Sequence, residues 1–369
     1  MSALSRIIET VRSTRFQRSA NRDAASTLED VAAISPANEG IFKVRLVDLG
    51  QAEKRAFRGV LTPVPELGEK REGIDAVFLD NAEDYYKKYQ GFDYWKSLIE
   101  QACSKIGLTD VTAIVEFGCG FGNSTLPLLE IFPAAHIIAT DLSPNLLSIL
   151  KRLLDARGLA HRCTPVAMDA HKDYIEENYA DLVIGSAILH HLVKPELFVE
   201  RAMQILKPGG AAIFFEPFEA GNALLRLICL TIAEEADRRK LSNRAIEWLR
   251  TIPATLEPQI MRHETSDWAD RNDKWAFPRS VLERIARDVR AELMVYPIHN
   301  NIGQFTRHFT YMLQTYGGMA KEALPQWCWD IFDRFDRRLF SPEMLLDLPL
   351  EGAIIFRKPP NPASEAAVL

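Results

Sequence analysis

From Thr112 to Pro217 the chain alternates short apolar runs with amphipathic stretches, and this rhythm limits the possible folds more than any other feature. The runs Ala113–Phe117, His136–Thr140, Arg162–Met168, Asp181–Ser186 and Ala211–Phe215 read as buried strands. Between two of them, Ser143 is a helix cap and Pro144 a first-turn proline. Leu146, Leu147, Leu150, Leu153 and Leu154 then share one face, and Gly158 stops the helix. Pro195 opens a second helix, with Phe198, Ala202, Ile205 and Leu206 facing inward, and Pro208, Gly209 and Gly210 end it. Strands joined through helices by short connections pair in parallel, and a parallel sheet must be covered on both faces. A doubly wound α/β fold is expected.

After Glu216 the alternation fails. Residues 218–277 and 300–349 read as helical, and Ala291–Ile298 and Gly352–Arg357 as late strands. Helices inserted between late strands lie near the carboxyl edge, where such sheets bind ligands. One catalytic domain over 76–359 with a helical cap is therefore expected, its core at 112–217. Residues 1–75, broken by Pro36, Pro63 and Pro65, read as an extension with a short helix and some strand, and 360–369 as a tail.

At 47% hydrophobic and 25% charged, the chain can bury a sizeable core. Its net charge of −6 argues against nucleic acid or anionic lipid as partner. The basic residues Arg6, Arg12, Arg15, Arg18 and Arg22 read as a solvated end. Five dispersed cysteines without a C-x-x-C pair suit reduced thiols better than disulfides or a metal site. No secretory apolar region is visible, and the run Ala223–Ala233 carries Arg226 and falls short of the ~20 residues a bilayer needs. A cytoplasmic protein with no membrane span is expected.

The first strand meets its helix through Gly118, Gly120 and Gly122, which let the backbone turn sharply and approach a ligand. A dinucleotide fingerprint would need glycine at 123, where this chain has Asn123. Glu116, in the strand end, is costly there without a partner, and an amino-acid ammonium is a natural one. Asp141 ends the second strand 19 residues after Gly122, where an acid can accept both hydroxyls of a ribose. Asp169 ends the third strand, where it can take an adenine amino group or cap a helix. A turn kept for packing and an acid kept for the helix dipole stay open as alternatives.

Val115–Thr125, Ala139–Pro144, Ser186–Leu192 and Ile205–Gly210, taken together, resemble the successive motifs of class I S-adenosylmethionine-dependent methyltransferases, in the small-molecule branch with an LHHL segment after the fourth strand. The resemblance is good over 112–217, extends to roughly 80–299 with 350–358, and is absent over 1–75. It implies a seven-stranded, mostly parallel sheet of Rossmann-like type ending in an antiparallel hairpin, with S-adenosyl-L-methionine as cofactor. Gly118 and Gly120, with Gly122, would approach the methionine part, Asp141 with Leu142 the ribose, and Asp169 with Ala170 the adenine. Ser186 would lie beside the cofactor, and the Tyr85–Trp95 helix would cover it with Tyr86 as lid.

Methyl transfer from a sulfonium is an in-line displacement, so the protein mainly aligns acceptor and methyl at about 3–3.5 Å and excludes water. A base near pH 7 adds about 10²–10⁴-fold for some acceptors. His190 and His191 follow the fourth strand, and histidine has a suitable pKa. On an extended segment neighbours point opposite ways, so one of the two should reach the site. Glu216 is a further acceptor-side candidate, and His263 and His299 read as surface histidines. Trp248, Trp268, Trp275, Phe277, Phe305, Phe309, Tyr311, Trp327 and Trp329 should mostly pack the cap, with some left to line a roomy, partly apolar pocket. The acceptor expected is a small organic, lipid- or sugar-linked molecule. A catalytically silent binding module of the same fold is the alternative; its mark would be a broken cofactor motif. A nicotinamide reductase is disfavoured by Asn123 and Glu116.

Overall fold

A computed structural model describes residues 40–68, 81–262, 266–298 and 302–360. The Arg6–Arg22 stretch, His263, His299 and residues 361–369 lie outside them.

The described residues form one nine-stranded sheet in the order β1-β2-β5-β4-β3-β6-β7-β9-β8. The strands are β1 Leu46–Asp48, β2 Leu61–Pro63, β3 Ala113–Phe117, β4 His136–Asp141, β5 Cys163–Ala167, β6 Ala180–Ser186, β7 Leu206–Pro217, β8 Glu292–Pro297 and β9 Glu351–Arg357. Strands β3 to β7 pair in parallel, and β9 runs antiparallel between β7 and β8. This is the expected seven-stranded arrangement with two strands added. The two added strands lie within residues 1–75, where some strand was expected. The β1–β2 hairpin joins the sheet edge, Leu61 pairing in parallel with Val166, and the Thr62 hydroxyl donates to the Ala167 carbonyl at 2.8 Å. The carboxylate of Asp48 closes the hairpin by accepting from the Gly50 and Gly59 amides at 2.7 and 2.9 Å. Strands of three residues give little periodicity to read, and pairing to β5 is a tertiary event.

The helices are α1 Ala82–Tyr89, α2 Phe92–Lys105, α3 Thr125–Ile131, α4 Pro144–Ala156, α5 Pro195–Ile205, α6 Glu219–Arg238, α7 Arg244–Leu249, α8 Ile252–Met261, α9 Arg279–Asp288, α10 Gln304–Thr315, α11 Gln326–Arg337 and α12 Pro342–Leu346. Ser143 caps α4 by accepting from the Leu146 amide at 3.3 Å. One sheet face packs Ile114, Ile137, Ile184 and Ile213 against α2, α3 and α4. The other packs Val115, Ile138, Val183 and Phe214 against α5 and α9. Alternate residues of the same strands supply the two faces.

The cap has a core of its own. Leu225, Ile228 and Ile232 of α6 meet Phe305 and Phe309 of α10 and Phe332 of α11, all fully buried. Asp336 is buried too, and accepts from the Phe305 and Thr306 amides at 2.9 Å each, satisfying first-turn donors of α10. The cap aromatics serve packing, as expected, with Tyr311 half exposed as the exception. Trp268, Trp275 and Phe277 pack on the second sheet face and not in the cap, because residues 266–277 form an irregular loop where helix was expected. Among the described residues no helix is long and apolar enough to cross a membrane.

Candidate active site

The carboxyl ends of β3, β4, β5, β6 and β7 converge on the glycine turn. Gly118, Gly120 and Gly122 have φ of +67°, +54° and +98°, the left-handed region that glycine enters without strain. A Cβ at Gly120 would have one neighbour within 4 Å, Leu146 Cδ1 at 3.9 Å, so the space before the turn is open. A Cβ at Gly122 would lie 2.6 Å from Leu150 Cδ1, so that glycine serves close packing of the turn on α4.

Asp141 holds the turn directly. Its carboxylate accepts from the Gly120 amide and, on the other oxygen, from the Ser143 amide, both at 2.8 Å. An ionised carboxylate has roughly four acceptor positions, and the two turn amides take one on each oxygen. Asn123 clips the covering helices to the same turn, its amide donating to the Tyr89 carbonyl at 2.8 Å while its oxygen accepts from the Gly91 amide at 3.0 Å. Sequence spacing had used Asn123 only to exclude a dinucleotide fingerprint. Tyr86 does lie over the turn, its ring edge-on to Phe121 at 5.1 Å. Tyr85 is the one in electrostatic reach of Asp141, and burial foremost, with Tyr89 and Asp141, pushes its phenol up to about 12.

Glu116 departs from the expected role. Its carboxylate is fully buried beneath the turn and accepts from the Ser124 hydroxyl at 2.5 Å and the Thr125 hydroxyl at 2.6 Å. Burial outweighs these donors and pushes its pKa up to about 7. It staples the turn to the start of α3, and hydroxyls take the place of the ammonium that was expected.

Asp169 is also differently engaged. Its carboxylate accepts from the His171 amide at 2.9 Å and faces His171 Nδ1 at 2.8 Å, contacts that hold its pKa below the usual carboxylate range. Its amide donates to both oxygens of Glu66 at 3.0 and 3.1 Å. Glu66 is buried and comes from the hairpin segment at the sheet edge, so sequence reading of the core motifs missed it. Ala170 is half-buried beside Asp169, and Leu142 beside Asp141.

Past β6, Ala187 has φ of +58°, strained for a residue with a Cβ, and its amide donates to the Phe215 carbonyl at 3.0 Å. This kink re-aims the chain into a 3₁₀ turn, Leu189–His191, where an extended segment was expected. The two imidazoles therefore lie side by side, ring centroids 4.0 Å apart, instead of diverging. Glu216, fully buried at the end of β7, accepts from the Ile188 and Leu189 amides at 2.9 and 2.7 Å and faces His190 Nδ1 at 2.6 Å. Asp273 stands 3.6 Å from His190 Nε2 and 3.4 Å from His191 Nδ1, while the Asn272 carbonyl meets His191 Nδ1 at 3.0 Å. The Asp273 loop is pinned by the Lys274 amide donating to the His190 carbonyl at 2.8 Å. Burial opposes charge on His190, but Glu216 and Asp273 outweigh it and hold the imidazolium up to about 10. His191 is pushed the other way, by burial first and then by its charged neighbour.

Donor atoms of His190, His191 and Asp273 lie within 4.8 Å of one another, a spacing a metal ion could use. An ion would have to displace a proton that His190 holds to about pH 10, which disfavours that use.

The donors fit a nucleoside with an amino-acid arm. Gly120 opens a cradle, Asp141 offers diol acceptors, and the Ser186 hydroxyl is buried without a hydrogen-bond partner among the described residues. Ile188, two residues on, packs within 3.1 Å of where a Gly118 side chain would begin. A buried hydroxyl without a partner is costly unless a ligand supplies one.

Comparison with known proteins agrees with this geometry. A family model described as a methyltransferase domain matches residues 114–210. A malonyl-[acyl-carrier protein] O-methyltransferase of Brevibacillus brevis is 26% identical over 152 residues, 39% of this chain and 52% of that protein. A trans-aconitate 2-methyltransferase of Variovorax paradoxus is 28% identical over 168 residues, 45% of this chain and 61% of that protein. The chain thus spans between half and two thirds of these relatives' length. With the motif order, the strand order and the open glycine cradle, residues 114–210 are a class I S-adenosylmethionine-dependent methyltransferase domain.

Proposed function

We propose that the chain moves a methyl group from S-adenosyl-L-methionine to a small organic, lipid- or sugar-linked acceptor. The observation that carries this reading is the Asp141 carboxylate tied to the Gly120 amide beside an open cradle and the unsatisfied Ser186 hydroxyl. When bound, the cofactor supplies a sulfonium-activated methyl whose leaving group departs neutral.

The chain's own residues supply alignment and proton handling. Asp141 orients the ribose, Ser186 and the open side of the Gly118–Gly120 turn receive the amino-acid arm, and α1 excludes water above the turn. Among titratable pairs, environments that push two pKa values apart assign acid and base. Glu216 fixes the His190 ring through Nδ1 and Asp273 faces its Nε2, so the ring keeps its proton at neutral pH and sets a positive charge beside His191. His191, held neutral, has a lone pair beside it to receive a proton. No cofactor motif is broken, which favours an active enzyme over a silent module.

The test is a transfer assay with methyl-labelled cofactor across hydroxyl, amine, carboxylate and activated-carbon acceptors, run beside His190→Ala and His191→Ala. Label in one acceptor class, lost in both variants while cofactor binding persists, is expected. Cofactor binding with no transfer to any class would favour the silent module, and a response to NAD alone would overturn the reading.

A further inference from the structure

The two imidazoles of the Leu189–His191 turn are held differently, and the difference decides which ring nitrogen can act. His190 has a carboxylate at each nitrogen, Glu216 at Nδ1 and Asp273 at Nε2. His191 is held on one side. Its Nδ1 faces the Asn272 carbonyl at 3.0 Å and the Asp273 carboxylate at 3.4 Å. A carbonyl and a carboxylate can only accept, so Nδ1 carries the proton of this ring. In the neutral ring the lone pair is then on Nε2, since the bond made by one nitrogen sets the state of the other. Among the described residues no hydrogen bond or ion pair reaches Nε2, and the side chain is 35% exposed. A histidine free in water prefers the opposite tautomer, so the fold imposes this one.

The groups that impose it lie 81 residues further along the chain. They belong to the irregular loop 266–277, which is tied down at nearly every step. The Lys274 amide donates to the His190 carbonyl, the Trp275 indole to the Leu192 carbonyl and the Phe277 amide to the Pro217 carbonyl, each at 2.8 Å. The Trp268 indole donates to the Lys274 carbonyl at 2.5 Å, and the rings of Trp275 and Phe277 stack 5.6 Å apart. The Ala276 amide, donating to the Gln259 carbonyl at 3.3 Å, joins the loop to α8 of the cap. So many ties on a segment without regular structure leave the Asn272 carbonyl one position against His191.

Three charged groups act on His191: His190 from its own turn, Glu216 from β7 and Asp273 from the loop. Burial first, and then His190, hold the ring neutral against the two carboxylates.

We propose that residues 272–275 are a positioning clamp supplied from the cap side: the Asn272 carbonyl and the Asp273 carboxylate keep the His191 proton on Nδ1 and present Nε2 as the atom that receives the proton of the acceptor. The acceptor's lone pair bonds to the methyl carbon, the carbon–sulfur electron pair passes to sulfur, and the acceptor's proton goes to Nε2. Two carboxylates, Glu216 and Asp273, then offset two imidazolium rings. This deepens the methyltransferase reading and rests on it, naming the receiving atom and the residues that orient it.

The full chain, labelled with nitrogen-15 in its histidine rings and saturated with S-adenosylhomocysteine, gives the test at pH 7. Long-range proton–nitrogen correlation distinguishes the tautomers, and His191→Asn assigns the signals. A protonated Nδ1 and a bare Nε2 are expected for His191. Lys274→Pro removes the amide that pins the loop, and Trp275→Phe removes the indole donor to Leu192. Each should shift His191 toward the solution tautomer while S-adenosylhomocysteine still binds. Diethyl pyrocarbonate, which acylates a neutral imidazole, should mark His191 at least about tenfold faster than His190, read by mass spectrometry of the digested chain. Protonation of Nε2 in the unaltered chain, a tautomer that survives in both loop variants, or faster acylation of His190 would overturn the proposal. Such a failure with S-adenosylhomocysteine still bound sinks this inference alone; no binding of S-adenosylhomocysteine sinks the methyltransferase reading as well.

Discussion

Glu116→Gln isolates the energetics of the staple beneath the glycine turn. In the native chain the carboxyl is fully buried and its pKa is pushed from 4.5 up to about 7 by burial, against the pull of the Ser124 and Thr125 hydroxyls. A carboxyl with a raised native pKa binds its proton more tightly folded than unfolded. Its contribution is therefore full below about 4.5 and is lost as pH rises through about 7. At ~1.4 kcal/mol per tenfold in proton affinity, that interval is worth about 3 kcal/mol. Glutamine keeps the shape, one acceptor for a hydroxyl and no titration. Urea unfolding of both proteins at pH 5, 6, 7 and 8 should show the unaltered chain losing about 3 kcal/mol relative to Glu116→Gln across the series, with the change centred between pH 5 and 7. In melting temperature that is about 4 °C for a protein of this size. Glu116→Ala, by contrast, strands two hydroxyls beside a cavity and should cost about 2–5 kcal/mol at every pH. Parallel pH profiles for the native and Gln proteins would refute the claim that the buried carboxyl bears a desolvation cost.

Gly122→Ala should lower stability by about 1–3 kcal/mol, because φ is +98° and the new Cβ meets Leu150; an unchanged melting curve would contradict this. Glu66→Gln should weaken S-adenosylhomocysteine about fivefold in calorimetry, since a charged partner of the Asp169 amide becomes a neutral one, and equal affinity would remove Glu66 from the adenine end. Asp273→Asn should bring the His190 pKa down from about 10, read by NMR titration of the imidazole. Because His190 holds its proton more tightly when folded, its stabilisation is present below pH 6.5 and fades as pH rises through about 10; the variant should flatten that fall.

Strands β3 to β9 were legible because burial on both faces writes continuous apolar runs, and the glycines and Asp141 because backbone geometry and spacing leave few substitutes. The edge hairpin was not, since three-residue strands carry no period. Glu66 and Asp273 were equally invisible. Their roles come from contacts across 103 residues to Asp169 and across more than 80 to His190, which no local pattern encodes. Glu116 shows the opposite limit. Its burial was read correctly as needing a partner, but the partner was two hydroxyls eight and nine residues along, a pairing that depends on how α3 begins. The histidine pair failed because a kink at Ala187 replaced the extended geometry from which their divergence was inferred.

Calorimetric titration of the full chain with S-adenosylhomocysteine tests the central claim most directly, with Gly120→Arg as the paired protein. Gly120 fronts open space, so an arginine there fills the cradle without a clash against the core, at the cost of a side chain in left-handed backbone. One-to-one binding by the unaltered chain, abolished in a Gly120→Arg protein that still melts cooperatively, is the predicted result. No heat from the unaltered chain, or equal binding by both proteins, would contradict it.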